Sequence, residues 1–154
     1  MSKRQDVQQR LREEIKSILL ENNGKIPYDA IAMPSKMPYL HNVVNEVLRI
    51  YAIIPMLDRV CVDVAGYSLK PYRSFVIPHG MPILIPIYPL GYDENFFSEP
   101  WNFNPDRFET IKDLPLCAHI PFGTGPRSCI GERLGFIQVK MAIVKILKDF
   151  RIEM

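Results

Sequence analysis

The sequence predicts a mainly α protein with a small β region, and three observations carry that reading. Apolar residues recur at helical spacing near both ends of the chain and again in its first third. Between residues 58 and 87 the text turns to short β-like runs broken by glycine and proline. The composition, 47% hydrophobic and 23% charged, is that of an ordinary globular chain, and 154 residues make a single segment, 1–154, the natural expectation.

The first helix is expected from Arg4 to Glu21. Val7, Leu11, Ile15, Ile18 and Leu19 form its apolar stripe, and Asn22, Asn23 and Gly24 supply the stop. It has no capping lead-in, as expected of a sequence that begins inside a larger protein. A short helical turn is expected after Pro27, before Pro34 and Pro38 break the pattern. The second long helix runs from about Tyr39 to Tyr51, with Leu40, Val43, Val44, Val47, Leu48 and Tyr51 on one face.

The runs DRVCVDV, FVIP and ILIPIY read as short strands with one hairpin, because Gly66, Pro71, Pro78 and Gly80 exclude a long central strand. From about Pro89 to Cys129 no period is sustained, and so long a stretch in a compact domain is expected to be a structured functional loop. The last helix is expected from Ile130 to about Phe150. Ile130, Leu134, Ile137, Met141 and Val144 line one side and Phe136, Ile143 and Leu147 another, which predicts burial on two sides.

Several function classes drop out at this level. A formal net charge of +2 without a basic block gives no footprint for a nucleic-acid partner. Cys61, Cys117 and Cys129 are odd in number and irregular in spacing, which suggests neither a disulfide framework nor a paired zinc site, and fits reduced thiols. No apolar run reaches the ~18 residues of a membrane span, and MSKRQDVQQRLREE is too polar for a signal peptide.

The chemistry concentrates in PFGTGPRSCIGERLG, Pro121 to Gly135. Gly123, Gly125 and Gly131 permit turns and close backbone approach, and Pro126 stiffens the loop, so Cys129 is expected to be presented to a ligand. A long helix starting just after it turns unpaired N–H groups and a positive dipole end toward the sulfur, which favours an anionic sulfur. Arg127 adds a cation able to hold an anionic group in bidentate fashion. Three uses remain open on the residues alone: covalent nucleophile, metal or haem-iron ligand, and inert small hydrophobe. A phosphatase-type loop would need an arginine where Gly135 stands. A cysteine hydrolase would need a histidine base, and His41, His79 and His119 sit in no partner motif.

The run Phe122-Gly123-Thr124-Gly125-Pro126-Arg127-Ser128-Cys129-Ile130-Gly131 resembles the haem-binding signature of the cytochrome P450 family, F-x-x-G-x-R-x-C-x-G, at every fixed position. Two further sites extend the likeness. Glu46-Val47-Leu48-Arg49 carries the family's E-x-x-R pattern, and Asn104-Pro105-Asp106-Arg107-Phe108 resembles its P-E-R-F motif. The resemblance implies an ion triad of Glu46, Arg49 and Arg107. Against it stands a plainer reading, in which Glu46 and Arg49 point away from the apolar stripe and form an exposed i, i+3 pair worth a few tenths of a kcal/mol.

The likeness covers essentially the whole chain, and VCVDVAGY and ERLGFIQVK look most like microsomal insect members. It implies the C-terminal, proximal part of the cytochrome P450 fold. It further implies haem b with Cys129 as the axial iron ligand, Phe122 and Gly131 beside the cofactor, and Arg59 and Arg127 on its propionates. In a full-length relative, one atom of dioxygen would enter a small lipophilic substrate with electrons from an NADPH-dependent cytochrome P450 reductase. The compartment implied is the cytoplasmic face of the endoplasmic reticulum, through an N-terminal anchor that these residues do not contain. Because the roof helices and the central oxygen-activating helix of the family find no counterpart here, the expectation is a C-terminal fragment. Its alternative role is a non-catalytic, truncated haem-binding piece. Gly91 stands where relatives often have histidine, Ala52 and Ile53 where they often have proline, and Asp106 shortens the usual glutamate.

Overall fold

A computed structural model describes residues 2–110 and 114–153. Helix α1 (Gln5–Glu21) and the short α2 (Tyr28–Ala32) precede α3 (Pro38–Ile50). Strands β1 (Leu57–Val60), β2 (Tyr67–Ser68), β3 (Val76–Ile77) and β4 (Pro82–Ile85) come next. The chain then passes α4 (Ile87–Leu90), α5 (Arg107–Thr110) and a 3-10 turn at Gly125–Arg127 before α6 (Glu132–Asp149). The architecture is mainly α with a small antiparallel region, as the sequence pattern predicts.

The core is where the helical stripes meet. Val7, Leu11, Ile15 and Ile18 of α1 pack with Ala30 and Ile31 of α2, with Met37, Tyr39, Leu40 and Val43 around α3, and with Val144 and Leu147 of α6. Each fully buried aliphatic side chain in such a cluster contributes about 1.5–3 kcal/mol. Polar side chains fasten the ends. Glu14 of α1 accepts the backbone N–H groups of Tyr39 at 2.8 Å and Leu40 at 2.9 Å, supplying from another helix the cap that Met37 does not make. Gln8, buried at 1% exposure, exchanges two hydrogen bonds with the backbone of Ile152, at 2.7 and 3.0 Å, and so docks the chain end on α1.

Three expectations are corrected. The β region holds two nested two-stranded ladders rather than one hairpin: β1 pairs antiparallel with β4, from Leu57 opposite Ile85 to Val60 opposite Pro82, and encloses the β2–β3 pair. The turn that leads from β1 into β2 demands glycine at 66, where φ is +78° and a Cβ would come within 2.8 Å of the Ile77 carbonyl oxygen. The last helix starts at Glu132, two residues later than the apolar pattern suggests, because Cys129 to Gly131 form a turn in which the Cys129 carbonyl accepts the Glu132 N–H. Nor is that helix covered on two sides. Val144 and Leu147 are buried, but Leu134 is 60% and Val139 47% exposed. The stretch from Pro89 to Cys129, apart from residues 111–113, which lie outside the described set, is built of turns and two short helices, with Phe97 and Pro100 buried.

Candidate functional site

Gly123 and Gly125, both at φ +74°, let the chain fold back so that the Cys129 N–H donates to the Phe122 carbonyl at 2.8 Å. The Ser128 N–H closes the 3-10 turn on the Gly125 carbonyl at 3.0 Å. The loop is thereby braced by its own backbone while Cys129 stays exposed. At Gly131 a Cβ would sit 3.8 Å from the Cys129 sulfur, so any longer side chain there would crowd it. Cys61 is buried, Cys117 is exposed, and all three thiols are free.

Much of the surface on α6, at Ile130 before it and on the turn after α3 is apolar and uncovered. Ile130 is fully exposed, and Leu134, Val139, Tyr51 and Ile53 are each more than 45% exposed. Two cavities flank this surface. One, of about 260 Å³, is an apolar groove between α3 and α6 bounded by Val47, Ile53, Phe122, Gly135, Phe136 and Val139. The other, of about 490 Å³, is more polar and is lined by Cys129, Ile130, Arg133, His41, Phe136 and Lys140.

One cation lies within the loop and another on strand β1. Arg127 is exposed and has no ion-pair partner among the described residues. Arg59 lies on the same face of β1 as Leu57, and Leu57 Cδ1 lies 3.7 Å from where a Cβ on Gly123 would be. Among the described residues its side chain bonds only to the neighbouring Asp58 carbonyl, at 2.7 Å, which leaves most of the guanidinium donors open to an anion.

Behind the loop lies a buried charge cluster. Arg49 forms a bidentate pair with Glu46, Nε to Oε2 and Nη2 to Oε1, both at 2.8 Å, and Arg107 Nε donates to Glu46 Oε1 at 3.1 Å. The side chains of Glu46 and Arg49 are inaccessible and that of Arg107 is 4% exposed, so the reading of an exposed helical pair is excluded. The surplus positive charge is spread over carbonyl oxygens: Arg49 donates to Gly91, and Arg107 to Ser98 at 2.8 Å and to Asn102 at 3.1 Å. The structure thus ties the long irregular segment to α3 through three charged side chains.

Three further side chains cluster near the site, of which Lys140 alone was not singled out in the sequence. Phe136 packs against Phe122, with ring centroids 5.3 Å apart, and against His41 at 5.1 Å. The Nδ1 atom of His41 is buried without a hydrogen-bond partner, and burial followed by the charge of Lys140 lowers its pKa to about 4. Lys140 is 1% exposed, donates to the Ile31 carbonyl at 3.3 Å, and has its pKa lowered by burial. A signal for Lys140 existed: it occupies a core position of the stripe Ile137, Lys140, Val144, Leu147. His119, held to Asn45 Oδ1 at 3.4 Å, is likewise lowered to about 4 by burial and then by Arg49, and His79 is exposed.

The donor set constrains what the site can hold. Among the described residues no group of three or more His, Cys, Asp or Glu side chains converges on one point, so a bare metal ion finds no cage. A metal could bind through Cys129 alone if it arrived with its other ligands already in place. A flat, apolar macrocycle with acidic substituents suits this set of groups: the exposed Cys129, an exposed apolar apron, the Phe122 ring, and the guanidiniums of Arg59 and Arg127.

The sequence model of the family described as cytochrome P450 matches residues 1–154. Probable cytochrome P450 6g2 of Drosophila melanogaster is 42% identical over 155 aligned residues, covering 99% of this chain and 29% of that protein. Cytochrome P450 6j1 of Blattella germanica is 41% identical over 154 residues, covering 99% of this chain and 29% of that protein. Probable cytochrome P450 6a13 of Drosophila melanogaster is 42% identical over 148 residues, covering 95% of this chain and 29% of that protein. The chain therefore spans less than a third of the length of the curated relatives it matches. No described helix is long and apolar enough to cross a membrane.

Proposed function

The chain belongs to the cytochrome P450 family, and from that premise we propose that residues 1–154 form one segment that binds haem b through Cys129 and serves a haem-thiolate monooxygenase. The observation that carries the proposal is the backbone-braced, exposed Cys129 at the edge of an uncovered apolar apron.

Each residue has a definite task in this reading. Cys129 would supply the sulfur that holds the haem iron, and the Phe122 carbonyl fixes its backbone. Gly131 and Gly135 keep the approach free of side chains, since a Cβ at 135 would already touch the Phe122 ring at 3.8 Å. Arg127 and Arg59 hold the propionates by charge-assisted hydrogen bonds. Glu46, Arg49 and Arg107 keep the segment around residues 91–107 packed on α3 and so hold the proximal wall in shape. When bound, haem with a thiolate ligand supplies dioxygen activation favoured by electron donation from sulfur, a property of the family. The electrons would come from an NADPH-dependent reductase, and the substrate would be small and lipophilic. A site of action at the cytoplasmic face of the endoplasmic reticulum is proposed on the kinship with the insect relatives.

The exposure of Leu134, Val139 and Ile53 favours a second reading, in which these 154 residues bind haem without turnover because no described residue of the chain covers that face. Titration of the chain with hemin, followed by reduction under carbon monoxide, tests the first step. A saturable band of the thiolate type that vanishes in Cys129→Ala is expected, and its persistence in that variant would refute the ligand assignment. Oxidation of a lipophilic probe in the presence of NADPH and reductase then separates the two readings.

A further inference from the structure

Phe136 lines both the polar cavity of about 490 Å³ that Cys129 borders and the apolar groove of about 260 Å³ that Phe122 borders, and among the described residues no other borders both. Its ring is gripped from both sides. Phe122 lies on the groove side at a centroid distance of 5.3 Å, and His41 on the polar side at 5.1 Å, with the Lys140 ammonium 5.7 Å from the ring centroid. Lys140 is itself immobilised, 1% exposed and bonded to the Ile31 carbonyl of α2. A chain of contacts therefore runs from a buried lysine through Phe136 to Phe122, and the Phe122 carbonyl holds the Cys129 N–H at 2.8 Å.

We propose that Phe136 is a positioning residue for the Cys129 sulfur: it wedges the Phe122 ring so that the Phe122–Cys129 backbone bond keeps its place, and it separates the polar cavity from the groove. The inference rests on the haem-thiolate reading above. Its physical basis is that the Phe136 ring, held between His41 and Phe122, fills the space into which Phe122 would otherwise turn and stands between the polar cavity that Cys129 borders and the apolar groove that Phe122 borders. Removing the ring joins the two spaces, lets water into the apolar groove beside Phe122, and frees Phe122 to turn into the gap. Neither effect needs contact between Phe136 and the cofactor.

The test uses the whole 154-residue chain titrated with hemin, with affinity and the reduced carbon-monoxide band as readouts and far-ultraviolet circular dichroism as the check on folding. Phe136→Ala is expected to weaken hemin binding by ~10-fold and to convert most of the thiolate-type band, with Phe136→Val showing ~3-fold and a partial loss. In a Phe122→Leu background, Phe136→Ala should add less than ~2-fold, because the two rings act as one unit. Wild-type affinity and band in Phe136→Ala, or full additivity with Phe122→Leu, would overturn the positioning role. Should Phe136→Ala lose its helical signal, Phe136→Val decides on the same readouts, and wild-type values there overturn the proposal. A wild-type chain lacking any Cys129-dependent band sinks the haem reading instead, so the two failures are distinguishable.

Discussion

Arg107 Nε reaches Glu46 Oε1 at 3.1 Å across 61 positions of sequence, with the two side chains 4% and 0% exposed. One carboxylate thus serves two guanidiniums and the Asn104 N–H, which donates to the same oxygen at 2.8 Å. Replacing Glu46 with glutamine leaves two buried cations without their counter-ion, and a loss of about 3–5 kcal/mol is expected. Chemical denaturation of Glu46→Gln against the parent chain checks this. A change below about 1 kcal/mol would show that the carbonyl shell alone carries both arginines.

Glu14 gives α3 a cap from a neighbouring helix, and burial raises the pKa of its carboxyl group. Glu14→Ala should cost about 1–2 kcal/mol, the range for loss of an N-terminal cap. Glu14→Gln, which keeps an acceptor oxygen for one N–H, should cost less. Thermal melts of the two variants order the effects, and equal losses would contradict the capping role.

At Gly91 a Cβ would lie 2.6 Å from the Arg49 carbonyl oxygen, closer than side chains sit to backbone. Gly91→Ala should therefore push α4 away from the end of α3 and destabilise by about 1–3 kcal/mol. Stability measurement on Gly91→Ala settles the point, and a neutral result would mean that the two segments separate freely.

His41 and His119 each have a pKa lowered from 6.5 to about 4 by burial, with Lys140 and Arg49 as the nearby cations. Between those values the unfolded chain binds protons that the folded chain does not, so stability falls as pH drops from about 6.5 toward 4. Melting temperatures taken from pH 7 to pH 4.5 should decline, and His41→Gln combined with His119→Gln should flatten the decline. An unchanged slope in the double variant would assign the acid sensitivity to carboxylates.

Much of this was legible in the chain itself. The stripe from Val7 to Ile18 and the spacing of Leu40, Val43 and Val44 dictate the helices that form the core. The glycine spacing around Cys129 dictates an exposed, braced loop. Burial of Glu46 and Arg49 was not legible, because the helical pattern puts them opposite the apolar stripe, and only the return of the chain at Gly91, Asn102 and Arg107 encloses them. The burial of Lys140 was harder to see: its place on the apolar stripe of α6 signals a core position, but a lysine is by default taken as solvated, and it is α2 that closes over it. The open face of α6 was misjudged because an apolar stripe calls for a cover without saying whether another element or a bound group provides it.

The most direct test of the central claim is an iron-edge X-ray absorption spectrum of the hemin-loaded chain, taken beside Cys129→Ala. One sulfur scatterer in the first shell of iron, present in the parent chain and absent from the variant, is the expected result. A first shell of nitrogen and oxygen alone in the parent, or a sulfur that survives in Cys129→Ala, would contradict it.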